Sequence, residues 1–297
     1  MIFIDILLPI FLIVAAGALF SRVFRAPLEP LTLFALNLAT PALIFEALLN
    51  HPVPSGDLGR VFVAMVLYTA VMWGASEGVS RLLRLDPDMR RAFALATVSM
   101  NAGNYGLPLV RFAFGPSAVP FSVLVFVVFN IPLSTWAIWV AAGGSTKPLK
   151  SFRDMLRIPI FHATALSFAL NAFGLTLPAP LLKACGLVGE ASIPLLMIIL
   201  GMQLQRTKIS GSPGLLMAAS LVRLAFSPLV AWGLTRVLGI EGVEAKVLIL
   251  QTSTSSAVLP LLYALRFNRR PDWLASNLLV STLASGGTLA VVLWLIL

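Results

Sequence analysis

The stretch Met100-Asn101-Ala102-Gly103-Asn104-Tyr105-Gly106-Leu107-Pro108 lies within an apolar run long enough to cross a bilayer. Its two glycines, two asparagines and one proline predict an interrupted helix. Glycine lacks the side chain that steadies a helix, and proline removes an N–H and clashes with the preceding turn. Open backbone at membrane depth is tolerated only where it is buried in protein or lines a cavity. The stretch therefore reads first as a binding site and only second as a loop.

The surrounding chain supports a membrane setting. It is 59% hydrophobic and 11% charged, where a soluble domain carries roughly 25% charged residues. Ten apolar spans of bilayer length follow one another, at about 2–21, 30–49, 60–83, 91–113, 117–141, 158–176, 180–204, 213–238, 243–265 and 272–297. The first has no basic leader and a poor cleavage site, so it reads as a retained helix. Of the 21 basic residues, 15 fall in the links after spans 1, 3, 5, 7 and 9, among them Arg22, Arg81, Arg90, Lys147, Lys150, Arg153, Arg206 and Arg269. The positive-inside rule places those links in the cytoplasm and both termini outside, in a plasma (inner) membrane. The net charge of +9 is thus a topology signal and not a nucleic-acid footprint.

The two halves echo each other. Leu8-Pro9-Ile10-Phe11 matches Ile158-Pro159-Ile160-Phe161, Pro41-Ala42-Leu43-Ile44 matches Pro194-Leu195-Leu196-Met197, and Leu107-Pro108-Leu109 matches Leu259-Pro260-Leu261. Five spans per half is an odd number, so the halves face opposite ways, as inverted repeats do in many secondary transporters. Repeat one is expected over 1–141 and repeat two over 158–297, joined by a cytoplasmic linker at 142–157. The counterpart of the opening stretch is Gln251-Thr252-Ser253-Thr254-Ser255-Ser256-Ala257-Val258-Leu259-Pro260. A polar run inside a span is costly unless something satisfies it. Paired breaks at corresponding depth mark a midplane substrate site, where half-helix N–H groups attract an anion. Asn101 and Asn104 would add amide donors without a fixed charge, with Gly103, Tyr105 and Pro108 beside them. Ser253, Thr254, Ser255, Ser256 and Pro260 form the second half of the expected site. The bland reading is that these residues only glue helices together.

These segments also carry a resemblance. The Leu-Pro-Ile-Phe opening, Leu38-Ala39-Thr40-Pro41-Ala42-Leu43, Asn101 to Pro108, Ala191-Ser192-Ile193-Pro194-Leu195 with Gly201, and the last pair of spans are similar to motifs of the auxin efflux carrier family in its bacterial branch. The likeness covers nearly the whole chain. It implies an all-helical polytopic fold of ten helices, related in architecture to sodium/proton antiporters and bile-acid transporters, with helices 4 and 9 broken and crossing. Helices 1, 2, 6 and 7 would form a scaffold that relatives often use to dimerise, and helices 3–5 and 8–10 a moving transport bundle. The implied substrates are small organic anions, either auxin-like monocarboxylates or malate- and malonate-like dicarboxylates. Span 9 departs from the family pattern, being Ser/Thr-rich with one proline, Pro260.

Ionisable residues within spans are Glu46, Glu77, Glu190 and Arg223, with Arg111 near an outer end. Burying them is costly, so Glu77 and Arg223 are candidates for coupling or charge relay, and a Glu77–Arg223 contact is one arrangement. The alternatives are a structural ion pair or snorkelling. Pro9, Pro41, Pro159 and Pro194 read as helix-shaping, and the tryptophans as interfacial anchors. The single Cys185 allows no intrachain disulfide, and two histidines argue against a structural zinc site. No Gly-x-Ser-x-Gly, His-Glu-x-x-His or phosphate-binding glycine loop is present, so neither catalysis nor a cofactor is expected. The reading is a secondary carrier working by elevator-type alternating access. Its alternatives are a sensor that keeps the fold without transporting, a sodium-coupled symporter, and, last, an intramembrane enzyme.

Overall fold

A computed structural model describes residues 3–51, 55–144 and 156–297. The expected linker 142–157, with Lys147, Lys150 and Arg153, falls mostly outside the described residues. The described residues are helical throughout, joined by short turns. Among the described residues, seven helices are long and apolar enough to cross a membrane: α1 (Ile4–Phe24), α2 (Leu28–Asn50), α3 (Leu58–Leu82), α6 (Pro116–Ala141), α8 (Ala179–Arg206), α9 (Pro213–Val237) and α12 (Pro271–Ile296). Between them lie shorter helices, α4 (Pro87–Val98), α5 (Leu107–Phe114), α7 (Pro159–Ala172), α10 (Gly242–Thr252) and α11 (Leu259–Phe267).

The difference from ten full-length spans has a local cause. Spans 4 and 9 are each split, into α4 with α5 and α10 with α11, because neither polar stretch continues as α-helix. The α7 helix is only 14 residues long. The first break is not where glycine and proline alone place it. It covers Ser99 to Asn101, and Ala102–Gly106 is already a wide helical turn leading into α5. Pro260 sits in the first turn of α11, where a missing N–H costs nothing, while Pro108 follows directly on the wide turn.

That wide turn recurs. π-helical turns at Phe3–Leu7, Ala35–Ala39, Ala102–Gly106 and Val222–Phe226 each run into an α-helix whose first turn holds a proline: Pro9, Pro41, Pro108 and Pro228. A proline ring crowds the carbonyl one turn earlier, and widening that turn relieves the clash. Pro9 and Pro41 thus shape helices, as the sequence suggests.

Packing pairs elements from the two halves of the chain. The α1 helix lies along Ser192–Arg206 of α8, and reciprocally α7 lies along Thr40–Asn50 of α2. At the centre Thr40 and Ser192 share a 2.9 Å hydrogen bond between hydroxyls. The α3 helix contacts α9, and α12 contacts α4. Outward faces are apolar and exposed, as lipid contact requires: Leu12, Leu19, Phe62, Val66, Leu229 and Leu283 are examples. Gly74 and Gly78 of α3 belong to this open surface, since a Cβ on either would meet nothing within 4 Å. Trp273 departs from the anchor expectation: it is buried and stacks on Phe93 at 6.3 Å.

The end of the molecule with the basic links is tied by ion pairs. Asp88 pairs with Arg91 at 3.0 Å and Arg269 at 2.6 Å, and Asp86 with Arg270 at 3.3 Å. Asp86 also caps α4, accepting from the N–H groups of Asp88 and Met89, both at 3.0 Å. The Met89 N–H chiefly, with Arg270 and the Asp88 N–H, holds this carboxyl below its ordinary value. A depressed folded pKa stabilises above the ordinary carboxylate pKa, and the benefit fades as pH falls through the folded value. Asp86→Ala is therefore expected to cost about 1 kcal/mol at neutral pH. In melting curves its deficit should vanish at acid pH; a deficit that persists there would disprove the capping account.

Candidate functional site

The two breaks meet. Asn101 N–H donates to the Ser255 carbonyl and Ala257 N–H to the Ser99 carbonyl, both at 2.9 Å. These bonds make an antiparallel bridge between Met100 and Ser256. Two chains that leave their helices at the same depth satisfy each other's open backbone there. Gln251 braces the junction. Its Nε2 donates to the carbonyls of Ala102 (3.2 Å) and Ser122 (3.1 Å), and its Oε1 accepts from Ser122 Oγ at 3.0 Å. A Cβ at Gly106 would come within 2.8 Å of the Gln251 side chain, so the glycine makes room for the brace.

On one side of the bridge lies a cavity of about 170 Å³. It is bounded by the α4–α5 break, by Ala257 to Leu259 at the start of α11, and by α2, α6, α7 and α8. Among the described residues its polar lining is Thr32, Thr40, Asn101, Asn104, Asn130 and Gln203, and none of these is ionisable. Phe126 and Phe129 give it an aromatic wall. Gly103 also lines it, with Phe126 so close that a Cβ would meet the ring at 3.0 Å. Asn130 and Thr32 are engaged with backbone carbonyls of Phe126 and Leu28. The Nδ2 of Asn101 and the Oε1 of Gln203 are buried and have no hydrogen-bond partner among the described residues. The turn after Asn101 makes its first helical bond from Gly106 N–H to the Asn101 carbonyl, which leaves the earlier N–H groups of that turn outside the helix ladder. Larger surface pockets, such as one of about 300 Å³ around Trp73, Glu77, Arg90 and Arg91, lie at the rim.

The sequence candidates divide at this bridge. Asn101, Gly103 and Asn104 line the cavity. Tyr105 does not; it is buried with its hydroxyl 3.1 Å from Ser285 Oγ and its ring against Phe11. Pro108 and Pro260 are buried and shape helix starts. Ser253, Thr254, Ser255 and Ser256 are buried on the other side and are engaged within the protein. Ser253 and Thr254 hydroxyls donate to the Ile249 and Gln251 carbonyls. Ser255 Oγ lies 3.0 Å from Thr282 Oγ1, while Ser256 donates to the Ala96 carbonyl and accepts from Asn277. The run's own helix thus satisfies Ser253 and Thr254, and the polar face of α12 engages Ser255 and Ser256.

Glu77 and Arg223 are not together. Glu77 pairs with Arg81 at 3.0 Å and with Arg90, near the basic rim. Arg223 is fully buried in α9 among backbone carbonyls. Gln203 and Asn130 also line the cavity, and neither stands out in the sequence. The usable signal was a lone amide inside an apolar helix, which needs a partner or a ligand.

Seven bilayer-length helices among the described residues, with an internal cavity at opened backbone, define a multi-pass membrane protein built like a transporter. The sequence matches the family profile described as "Membrane transport protein" over residues 2–152 and 147–294, and the chain belongs to that family, the auxin efflux carrier family. It is 24% identical to an uncharacterized transporter of Methanocaldococcus jannaschii, over 99% of this chain and 98% of that one. It is 25% identical to an uncharacterized transporter of Methanothermobacter thermautotrophicus, over 84% of this chain and 83% of the relative.

Proposed function

We propose that the protein is a secondary carrier of small organic anions, and that the cavity at the paired breaks holds the substrate. The observation that carries this is the buried amide of Asn101, unpartnered among the described residues, beside a cavity whose described lining residues include no ionisable group. Amide and turn N–H groups supply partial positive charge, enough for one carboxylate but poorly matched to two. A cavity near 150 Å³ takes a benzene-sized body, so about 170 Å³ suits a compact monocarboxylate with an apolar part against Phe126 and Phe129.

The reading includes the repeat organisation. The reciprocal packing of α1 on α8 and α7 on α2 supports two inverted halves, 1–141 and 158–297. In this account α1, α2, α7 and α8 form the scaffold, and α3 to α6 with α9 to α12 the moving bundle. The cavity lies between the two groups, which is where elevator-type alternating access requires it. Termini outside the cytoplasm and a homodimer through the scaffold belong to the same proposal.

A thermal-shift screen of mono- and dicarboxylates tests it. Monocarboxylates are expected to raise the melting temperature of the wild type more than dicarboxylates do. Asn104→Ala should reduce that stabilisation severalfold. Equal stabilisation of wild type and Asn104→Ala would remove Asn104 from the site.

A further inference from the structure

The most buried charge among the described residues is outside the anion cavity. Arg223 is wholly buried in α9, and its guanidinium makes five hydrogen bonds. Nε donates to the Thr254 carbonyl at 3.0 Å. Nη1 donates to the Thr97 and Val98 carbonyls at 3.1 and 3.2 Å. Nη2 donates to Ser227 Oγ at 2.8 Å and to the Thr252 carbonyl. Ser227 is itself fixed, donating to the Thr252 carbonyl at 2.7 Å and bonded to Tyr68 at 2.8 Å. The Tyr68 ring lies 5.8 Å from the guanidinium carbon.

A guanidinium has five N–H donors, so none is left over. No carboxylate is among the partners; the balancing charge comes from backbone. Thr97 and Val98 end α4, and Thr252 ends α10. Each helix end carries roughly half a negative charge, about one unit for the two, which one arginine matches. In carriers with broken helices, such half-helix ends and unwound carbonyls coordinate the coupling sodium ion or proton.

We propose that Arg223 is a built-in cation that takes the place of a coupling ion at this crossing, so that the anion moves without a metal cation bound there. The inference rests on the carrier reading above. A tethered guanidinium cannot dissociate with each cycle, and it occupies the carbonyls an exchangeable ion would need.

Melting curves of the purified full-length protein test this without any substrate. Replacing sodium chloride by choline chloride at equal ionic strength should leave the wild type unchanged. Arg223→Ala should melt lower, and millimolar sodium or guanidinium, but not choline, should restore at least about 3 °C. Where Arg223→Ala does not fold, Arg223→Lys and Arg223→Met decide: the charged variant should melt well above the apolar one. A sodium-specific rise in the wild type would overturn the proposal. So would an Arg223→Ala protein that no small cation stabilises, or equal stability of the Lys and Met variants. Failure of the carrier reading would appear separately, as absent stabilisation by carboxylates.

Discussion

Asn101→Asp should abolish binding of the organic anion while leaving the fold intact. The Asn101 main chain makes the bridge, and its N–H to Ser255 bond does not depend on the side chain. The side-chain Nδ2 has no partner within the described protein, so the substitution breaks no internal bond through that atom. What changes is the cavity's charge. Two negative charges about 4 Å apart repel by about 4 kcal/mol at an effective dielectric near 20, or about a thousandfold in affinity. Asn101→Leu removes the donor without adding charge. A hydrogen bond to a charged group contributes about 1.5–3 kcal/mol, so this variant should lose roughly 10- to 100-fold. The order of affinities, wild type above Leu above Asp, separates an electrostatic role from a steric one. Equal losses in both variants would mean that shape and not charge is read at this position.

Gly201→Leu has the largest expected effect on stability. A Cβ at Gly201 would strike the Val14 carbonyl oxygen and lie 2.8 Å from its carbon and 2.9 Å from the Ala18 nitrogen. A Cβ at Gly17 would strike the Ile198 carbonyl in the same way. Two glycines from α1 and α8 therefore let the backbones touch, as small residues do between membrane helices. Backbone cannot rotate aside, so α1 and α8 must separate. A cost of more than about 3 kcal/mol follows, or a melting temperature lower by about 10 °C. Gly74→Ala is the contrast: it meets nothing, and in a helix it should be neutral or slightly stabilising. Similar melting temperatures for Gly201→Leu and Gly74→Ala would refute the close crossing.

The parts of the fold set by local chemistry could be read from the chain. Apolar runs marked the long helices, and the polar breaks within spans 4 and 9 were visible as Gly, Asn, Ser and Thr where apolar residues were due. The family resemblance rested on the same segments. What the sequence did not reveal is which polar groups are satisfied from a distance. Ser256 and Asn104 look alike in a linear reading, as polar residues at matching depth. In the fold, Ser256 is consumed by Ala96 and Asn277, while Asn104 borders a cavity. Arg223 is the sharpest case. Its partners, Thr97, Val98, Thr252 and Thr254, are up to 126 residues away, and all but one of its bonds go to backbone carbonyls that carry no side-chain signature. A buried arginine suggested a carboxylate partner, and two helix ends supplied the charge instead.

The central claim is that the cavity beside Asn101 is the anion's route across the membrane. Flux into proteoliposomes under an imposed membrane potential addresses it most directly, using a monocarboxylate that stabilises the wild type. The account predicts saturable flux in the wild type that collapses in Asn101→Asp at equal protein incorporation. Undiminished flux in Asn101→Asp, or stabilising ligand binding with no flux in the wild type, would contradict it.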